Sequence, residues 1–151
     1  TLSDKVICVC DCGDAHATAT AEGFFRDTAA RLVRLSFDEH DHVAAYVLGL
    51  SHLINILFVR VLADSGDPIE HFREVGSTTF ASQLATAATV IRESPELYYA
   101  IQNLNPFMSK VYESLRQCTE ELTQQVLGGD RMSFIMSMGA GRAWMGEYDA
   151  H

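Results

Sequence analysis

The chain has 151 residues, enough for one domain-sized unit with a core, and its 48% hydrophobic content is ordinary for a soluble globular protein. A formal charge of −9, from 20 acidic and 11 basic residues with lysine only at Lys5 and Lys110, argues against nucleic acid or an anionic membrane as a partner, since both demand clustered cations. No segment has the basic start and short apolar core of a signal peptide. A lysine-poor, acid-rich surface suits a high-salt cytoplasm and an ordinary one equally well.

Lys5–Cys10 is a short β-rich run and Leu32–Phe37 another. Between them Ala15–Arg31 is rich in Ala and Thr, and Phe24, Phe25, Ala29 and Leu32 give a modest helical stripe after the turn Cys12-Gly13-Asp14. This predicts one β-α-β unit, which cannot bury both faces of two strands and so reads as a piece of a larger parallel sheet. Cys8, Cys10 and Cys12 alternate and would share one face of the strand. Clustered thiolates can hold a soft metal, but no CxxC pair or matching His/Cys set accompanies them. Small buried hydrophobes in a reduced compartment are the better account, and no metal site is expected.

From Phe37 onward the pattern is helical. The first helix, capped by Ser36 or Asp38, is apolar almost all round from His40 to Leu62 and stops near Asp64-Ser65-Gly66-Asp67-Pro68. Its most apolar part, Val43–Val59, is at the lower length limit for a membrane span; with Ser51, His52 and Asn55 at its centre it is expected to be a buried core helix. Those polar groups need partners, because one left unpaired costs roughly 1–3 kcal/mol. His52 is therefore either a satisfied core histidine or a group kept for chemistry. His40, His42 and His52 make no convincing metal site, since at 100° per residue His40 and His52 sit roughly 120° apart and over three turns away.

A short helix is predicted from Pro68 to Val75, and another, capped near Thr78 or Thr79, to about Glu93. Ser94-Pro95-Glu96 reopens helix with Pro at its first position, and Asn105-Pro106 repeats the device. Phe107, Val111, Leu115, Cys118, Leu122 and Val126 mark the clearest helix, ended by Gly128-Gly129. Asp130 starts the last, with Phe134, Ile135, Met138 and Trp144 on its stripe; Trp144 and Tyr148, four apart, are expected to be packing groups.

Several motifs fall in one register. They are Glu39-His40-Asp41 with Leu50-Ser51-His52; Ser77–Ala85, with Phe80 before Leu84-Ala85; Ser94-Pro95-Glu96-Leu97-Tyr98-Tyr99-Ala100-Ile101, followed by Asn105; and Asp130-Arg131 through Trp144-Met145-Gly146-Glu147-Tyr148. In this order they resemble the C-terminal domain of the prephenate dehydrogenases of tyrosine biosynthesis, the last being similar to the tail of the bacterial bifunctional enzymes.

The resemblance implies a mainly α fold. Residues 1–37 would be the C-terminal part of a Rossmann-type dinucleotide-binding domain, and residues 38–151 an all-helical dimerisation and substrate-closing domain of about six helices. It also implies an NAD- or NADP-dependent oxidative decarboxylation of prephenate or arogenate in the cytoplasm, by a homodimer, with tyrosine as a possible effector.

No Gly-x-Gly-x-x-Gly is present, and Gly139-Ala-Gly141 lies within a predicted helix. The chain is therefore expected to be an inactive fragment that binds no cofactor itself. The family's catalytic histidine lies in a His-Pro-x-x-Gly segment that does not occur here, which places it upstream of Thr1. His52 matches the family's substrate-facing histidine, with Ser51 beside it. The family's carboxylate-binding arginine falls on Thr89, which cannot form a bidentate charged clamp; Arg92, nearly one turn later, could compensate. The alternatives are a regulatory domain that binds aromatic amino acids and a purely structural dimerisation module.

Overall fold

A computed structural model describes residues 2–3 and 5–146. It divides into two compact units, residues 1–108 and 109–151. The first unit opens with β1 (Val6–Cys10), α1 (Ala15–Phe25) and β2 (Arg31–Leu35), the strands parallel and in register from Val6 opposite Arg31 to Cys10 opposite Leu35. This is the expected β-α-β, with shifted boundaries. The predicted stripe through Ala29 and Leu32 does not form. The Thr28 hydroxyl donates to the Phe25 carbonyl (2.6 Å) and closes the helix there, so Leu32 falls on β2. The Glu22 carboxylate on α1 forms a bidentate pair with Arg34 on β2 (Nη2–Oε2 2.6 Å) and ties the crossover to the sheet. Cys8 and Cys12 are exposed and Cys10 is half-buried, which corrects their reading as buried hydrophobes. Two strands alone leave a sheet face and an edge uncovered.

A continuous helix follows over Phe37–Asp64, made of α2 (Phe37–Ala44), a π-helical segment Ala45–Leu50, and α3 (Ser51–Asp64). Ser36 caps it in a capping box. Its hydroxyl accepts from the Glu39 N–H (3.2 Å), and the Glu39 carboxylate accepts from the Ser36 N–H (2.8 Å), which holds that carboxyl below its ordinary range. The π segment is wide enough for the Ser51 N–H to reach the Tyr46 carbonyl five residues back. One residue is thereby absorbed, so every later side chain turns by roughly 100° relative to a plain α-helix. The angle between His40 and His52 becomes roughly 20° rather than 120°, a correction to uniform-period reasoning. They remain about three turns apart along the axis.

Two helices use this helix as their support. α4 (Ile69–Val75) is short, and Pro68 precedes it rather than belonging to it. α5 (Thr78–Ile91), capped by Ser77 rather than by Thr78 or Thr79, packs antiparallel on α3 through Asn55–Gln83 and Phe58–Phe80. α6 (Pro95–Leu104), capped by Ser94, also runs antiparallel to the long helix. Asn105 donates to the Asp41 carbonyl (2.7 Å), Gln102 to the Gly49 carbonyl (2.9 Å), and Tyr98 meets His52. Gly49 is required here by close approach: a Cβ on it would overlap the sulfur of Met108, itself 1% exposed.

The second unit holds most of α7 (Met108–Leu127) and α8 (Arg131–Met145), joined through Gly128-Gly129, with Gly129 at φ 69°. Asp130 caps α8 by accepting from the Ser133 N–H (3.1 Å), and Gln125 on α7 bonds Ser137 on α8 (3.3 Å). Along α7, Val111 is buried but Val126 is 62% exposed. Trp144 is 87% exposed, so it does not pack within the chain as expected, and Tyr148 lies outside the described residues.

The largest correction concerns the long helix. It is long and apolar enough to cross a membrane by length and composition, yet it is not buried within the chain: Val47 is 62% exposed and Val61 68%. All-round apolarity requires a cover on every side, and α5 and α6 cover only part of the circumference.

Two glycines should respond oppositely to alanine. Gly49→Ala forces Met108 to repack, and an overpacking cost of about 1–3 kcal/mol outweighs the gain in helix propensity. Gly139→Ala on α8 meets nothing within 4 Å and should stabilise by about 0.5–1 kcal/mol. Urea unfolding of both variants checks this; an undiminished midpoint for Gly49→Ala would mean that Met108 does not press on the π segment.

Candidate functional site

The polar groups in the middle of the long helix have unequal fates. Asn55 is 5% exposed and fully engaged: its Nδ2 donates to the Ser51 carbonyl (2.8 Å), and its Oδ1 accepts from Gln83 Nε2 on α5 (2.9 Å). This small network is satisfied and structural.

His52 differs. Its ring lies edge-on to Tyr98 of α6, centroids 4.5 Å apart, and its Nδ1 is buried with no hydrogen-bond partner. Burial holds the imidazole below the ordinary His range, so it is neutral at pH 7. A neutral imidazole carries one donor and one acceptor nitrogen, and leaving either unpaired in a buried place costs roughly 1–3 kcal/mol.

One turn before His52 begins an open groove of about 390 Å³, lined by His40, Asp41, Ala44 and Leu48 on the long helix and Ala100, Ile101, Leu104 and Asn105 around α6. His40 Nδ1 lies 3.0 Å from Asp41 Oδ1 at its polar end. The π segment makes this possible, since it keeps His40, Ala44, Leu48 and His52 facing the same neighbour.

Ser51 and His52 are thus adjacent at the start of α3, with Ser51 exposed. Arg92 is on a different element, the exposed C-cap of α5, and is not among the contacts of His52. The Thr89 hydroxyl donates a hydrogen bond to the Thr86 carbonyl (2.7 Å). Sequence reasoning passed over Tyr98, Gln83 and Gln102. Gln83 and Gln102 carried the usable signal of a polar side chain within an apolar helical stretch, whereas Tyr98 was visible only inside the Pro-Glu-Leu-Tyr motif. Among the described residues, no three His, Cys, Asp or Glu side chains converge as a metal site.

Residues 36–140 match the family model described as prephenate dehydrogenase, dimerization domain. The chain belongs to this family. The mainly α fold after one β-α-β unit accords with it. Among curated relatives, a probable arogenate/prephenate dehydrogenase of Methanocaldococcus jannaschii is 24% identical over 115 residues, covering 76% of this chain and 26% of that protein. The T-protein of Enterobacter agglomerans is 24% identical over 153 residues, covering 98% and 40%. A 4-amino-4-deoxyprephenate dehydrogenase of Streptomyces pristinaespiralis is 26% identical over 121 residues, covering 80% and 41%. The chain thus spans less than half the length of each of these relatives.

The shielding of His52 sets a sign for pH dependence. Because its folded pKa is depressed, the unfolded chain binds the proton more readily. The stability tied to His52 is fully present above the ordinary His pKa of roughly 6.5 and is lost as pH falls through that value toward the depressed one. His52→Asn should therefore lose less stability between about pH 7 and 5 than the unsubstituted chain. Parallel stability–pH curves for the two proteins would show that His52 is not shielded.

Proposed function

We propose that this chain is the helical part of a prephenate dehydrogenase-like oxidoreductase of tyrosine biosynthesis, carrying out NAD(P)-dependent oxidative decarboxylation of prephenate, arogenate or a related ring acid. Residues 38–151 supply dimerisation and one wall of the substrate pocket, and residues 1–37 are the end of the dinucleotide-binding domain. The observation that carries this reading is the orphaned, buried Nδ1 of His52 beside Tyr98, in a chain matching the family over residues 36–140. His52 positions the substrate as a neutral hydrogen-bonding group. Ser51 offers an exposed hydroxyl next to it, and Arg92 a cation for a substrate carboxylate.

The described residues do not fit a pyrophosphate. At the N-terminus of α1, a helix end of the kind that can hold a phosphate, Asp14 Oδ1 already accepts from the His16 and Ala17 N–H groups (2.9 and 3.0 Å), and its charge would repel a phosphate. The nicotinamide would be held by other residues of the polypeptide, and the part of this chain is to bind, orient and shield the substrate. The uncovered apolar residues of the long helix, among them Val47, Leu57 and Val61, support a homodimer, with a second copy rather than lipid as the cover. Asp38, Glu39 and Asp41 crowd the start of that helix, and the family is described as a dimerization domain. Free Cys8, Cys10, Cys12 and Cys118 suit the reducing cytoplasm.

The test is reduction of NAD and NADP by the polypeptide that carries this chain together with its dinucleotide-binding part, with prephenate and with arogenate. Turnover is expected with one of them, and His52→Asn should lower kcat/KM on the order of 10–100-fold. No turnover with any pair, or unchanged kinetics in His52→Asn, would leave a helical dimer with a structural or regulatory task.

A further inference from the structure

The π segment and the two residues that hold it have a bearing on His52. From α6, Gln102 Nε2 donates to the carbonyl of Gly49 (2.9 Å), a part-buried bond linking residues far apart in sequence. At the same glycine, the Met108 side chain fills the space where a Cβ would stand. Gly49 is the fifth of the six π residues, and His52 follows three residues later. A π segment is a less favoured form of helix than α, with a wider turn and poorer backbone bonding. Left alone, Ala45–Leu50 would gain by tightening to α, and that would rotate Ser51 and His52 by roughly 100° about the axis. The His52 ring would then leave the edge of Tyr98 and the line continued by His40, Ala44 and Leu48.

We propose that Gln102 is a positioning residue. By holding the Gly49 carbonyl it keeps the helix in its π register, and that register aims His52 at Tyr98 and the groove along α6. Gln102 acts through the backbone and does not itself touch substrate. The helix register follows from the geometry at Gly49 alone. Its consequence for turnover rests on the proposed role of His52 at the substrate.

The experiment is NMR of histidine-labelled chain, reading the His52 ring resonance (identified by its disappearance in His52→Asn) and its through-space contact with the Tyr98 ring. Gln102→Met keeps the length and loses the donor. The expected result is a shifted His52 resonance and a lost Tyr98 contact while helix content by circular dichroism is retained. A folded Gln102→Met protein with the His52 resonance and the Tyr98 contact intact overturns the proposal.

Should Gln102→Met unfold, Gln102→Lys and Gln102→Glu decide. Lys retains a donor of similar reach and should keep the His52 signal, whereas the ionised Glu has none and should lose it; equal signals in both overturn the proposal. In the full-length polypeptide, Gln102→Met should lower kcat/KM on the order of 10-fold, as expected for a displaced binding group. A displaced His52 signal in a polypeptide whose unsubstituted form shows no turnover would uphold the register and count against the dehydrogenase reading.

Discussion

One extra residue in a helical turn organises the first unit. In a plain α-helix the row of residues four apart drifts by about 40° per step, so His40, Ala44, Leu48 and His52 would spread over roughly 120°. A short, straight neighbour such as α6 could not follow that row from Asn105 to Tyr98. The π segment between Ala45 and Leu50 removes most of the drift. The Asn105–Asp41, Gln102–Gly49 and Tyr98–His52 contacts then fall along one line. The poorer backbone bonding of the wide turn is offset by the Gln102 bond and by the packing of Met108, which only a glycine at position 49 permits.

Beyond the π segment, the long helix separates polar groups that stabilise from one that does not. Asn55 is buried and satisfied by Ser51 and Gln83, so it fixes the register of α5 against α3 at little cost. His52, three residues earlier, has an unpaired buried nitrogen and a depressed pKa. A chain under selection for stability alone would replace such a histidine with an apolar residue of similar volume, which is often neutral or favourable. Its presence beside a satisfied network is the observation on which the proposed substrate-positioning role of His52 rests.

The helix starts were legible because each rests on local chemistry. Ser36 with Glu39, Ser94 with Pro95, and Asp130 all bind their own first-turn N–H groups, and no tertiary context is needed to see it. Ser77 took the cap from Thr78 and Thr79 by one or two positions, within the ordinary slack of such signals. The end of α1 was missed because a Thr28 hydroxyl bond, rather than a Gly or Pro, terminates it. The burial of the long helix was misjudged for a different reason: apolar residues on all faces say that a cover exists, not that the same chain provides it. The π segment was invisible to periodicity, which assumes 100° per residue throughout, and the error passed directly into the angle between His40 and His52. Gly49, alone in an apolar run, was the one local sign.

The charge balance bears on the substrate side of the proposal. A carboxylate approaching a chain of net charge −9 is repelled over most of the surface, so a local cation has to supply the attraction. Arg34, Arg60 and Arg116 are already paired, with Glu22, Asp64 and the Glu113–Glu120 pair of acids respectively. Among the described residues Arg92 is in no ion pair, a condition it shares with Arg26, Arg31, Arg73, Lys110, Arg131 and Arg142, and it sits at the C-terminus of α5, where the helix dipole favours a cation. Helical side chains lean toward the N-terminus, so a residue one turn later covers the surface above an earlier one. Arg92 lies three residues after Thr89, the position to which the resemblance assigns an arginine. If the dehydrogenase reading holds, a carboxylate clamp at Arg92 would stand about one turn further along α5 than one at position 89, and so at a different distance from His52.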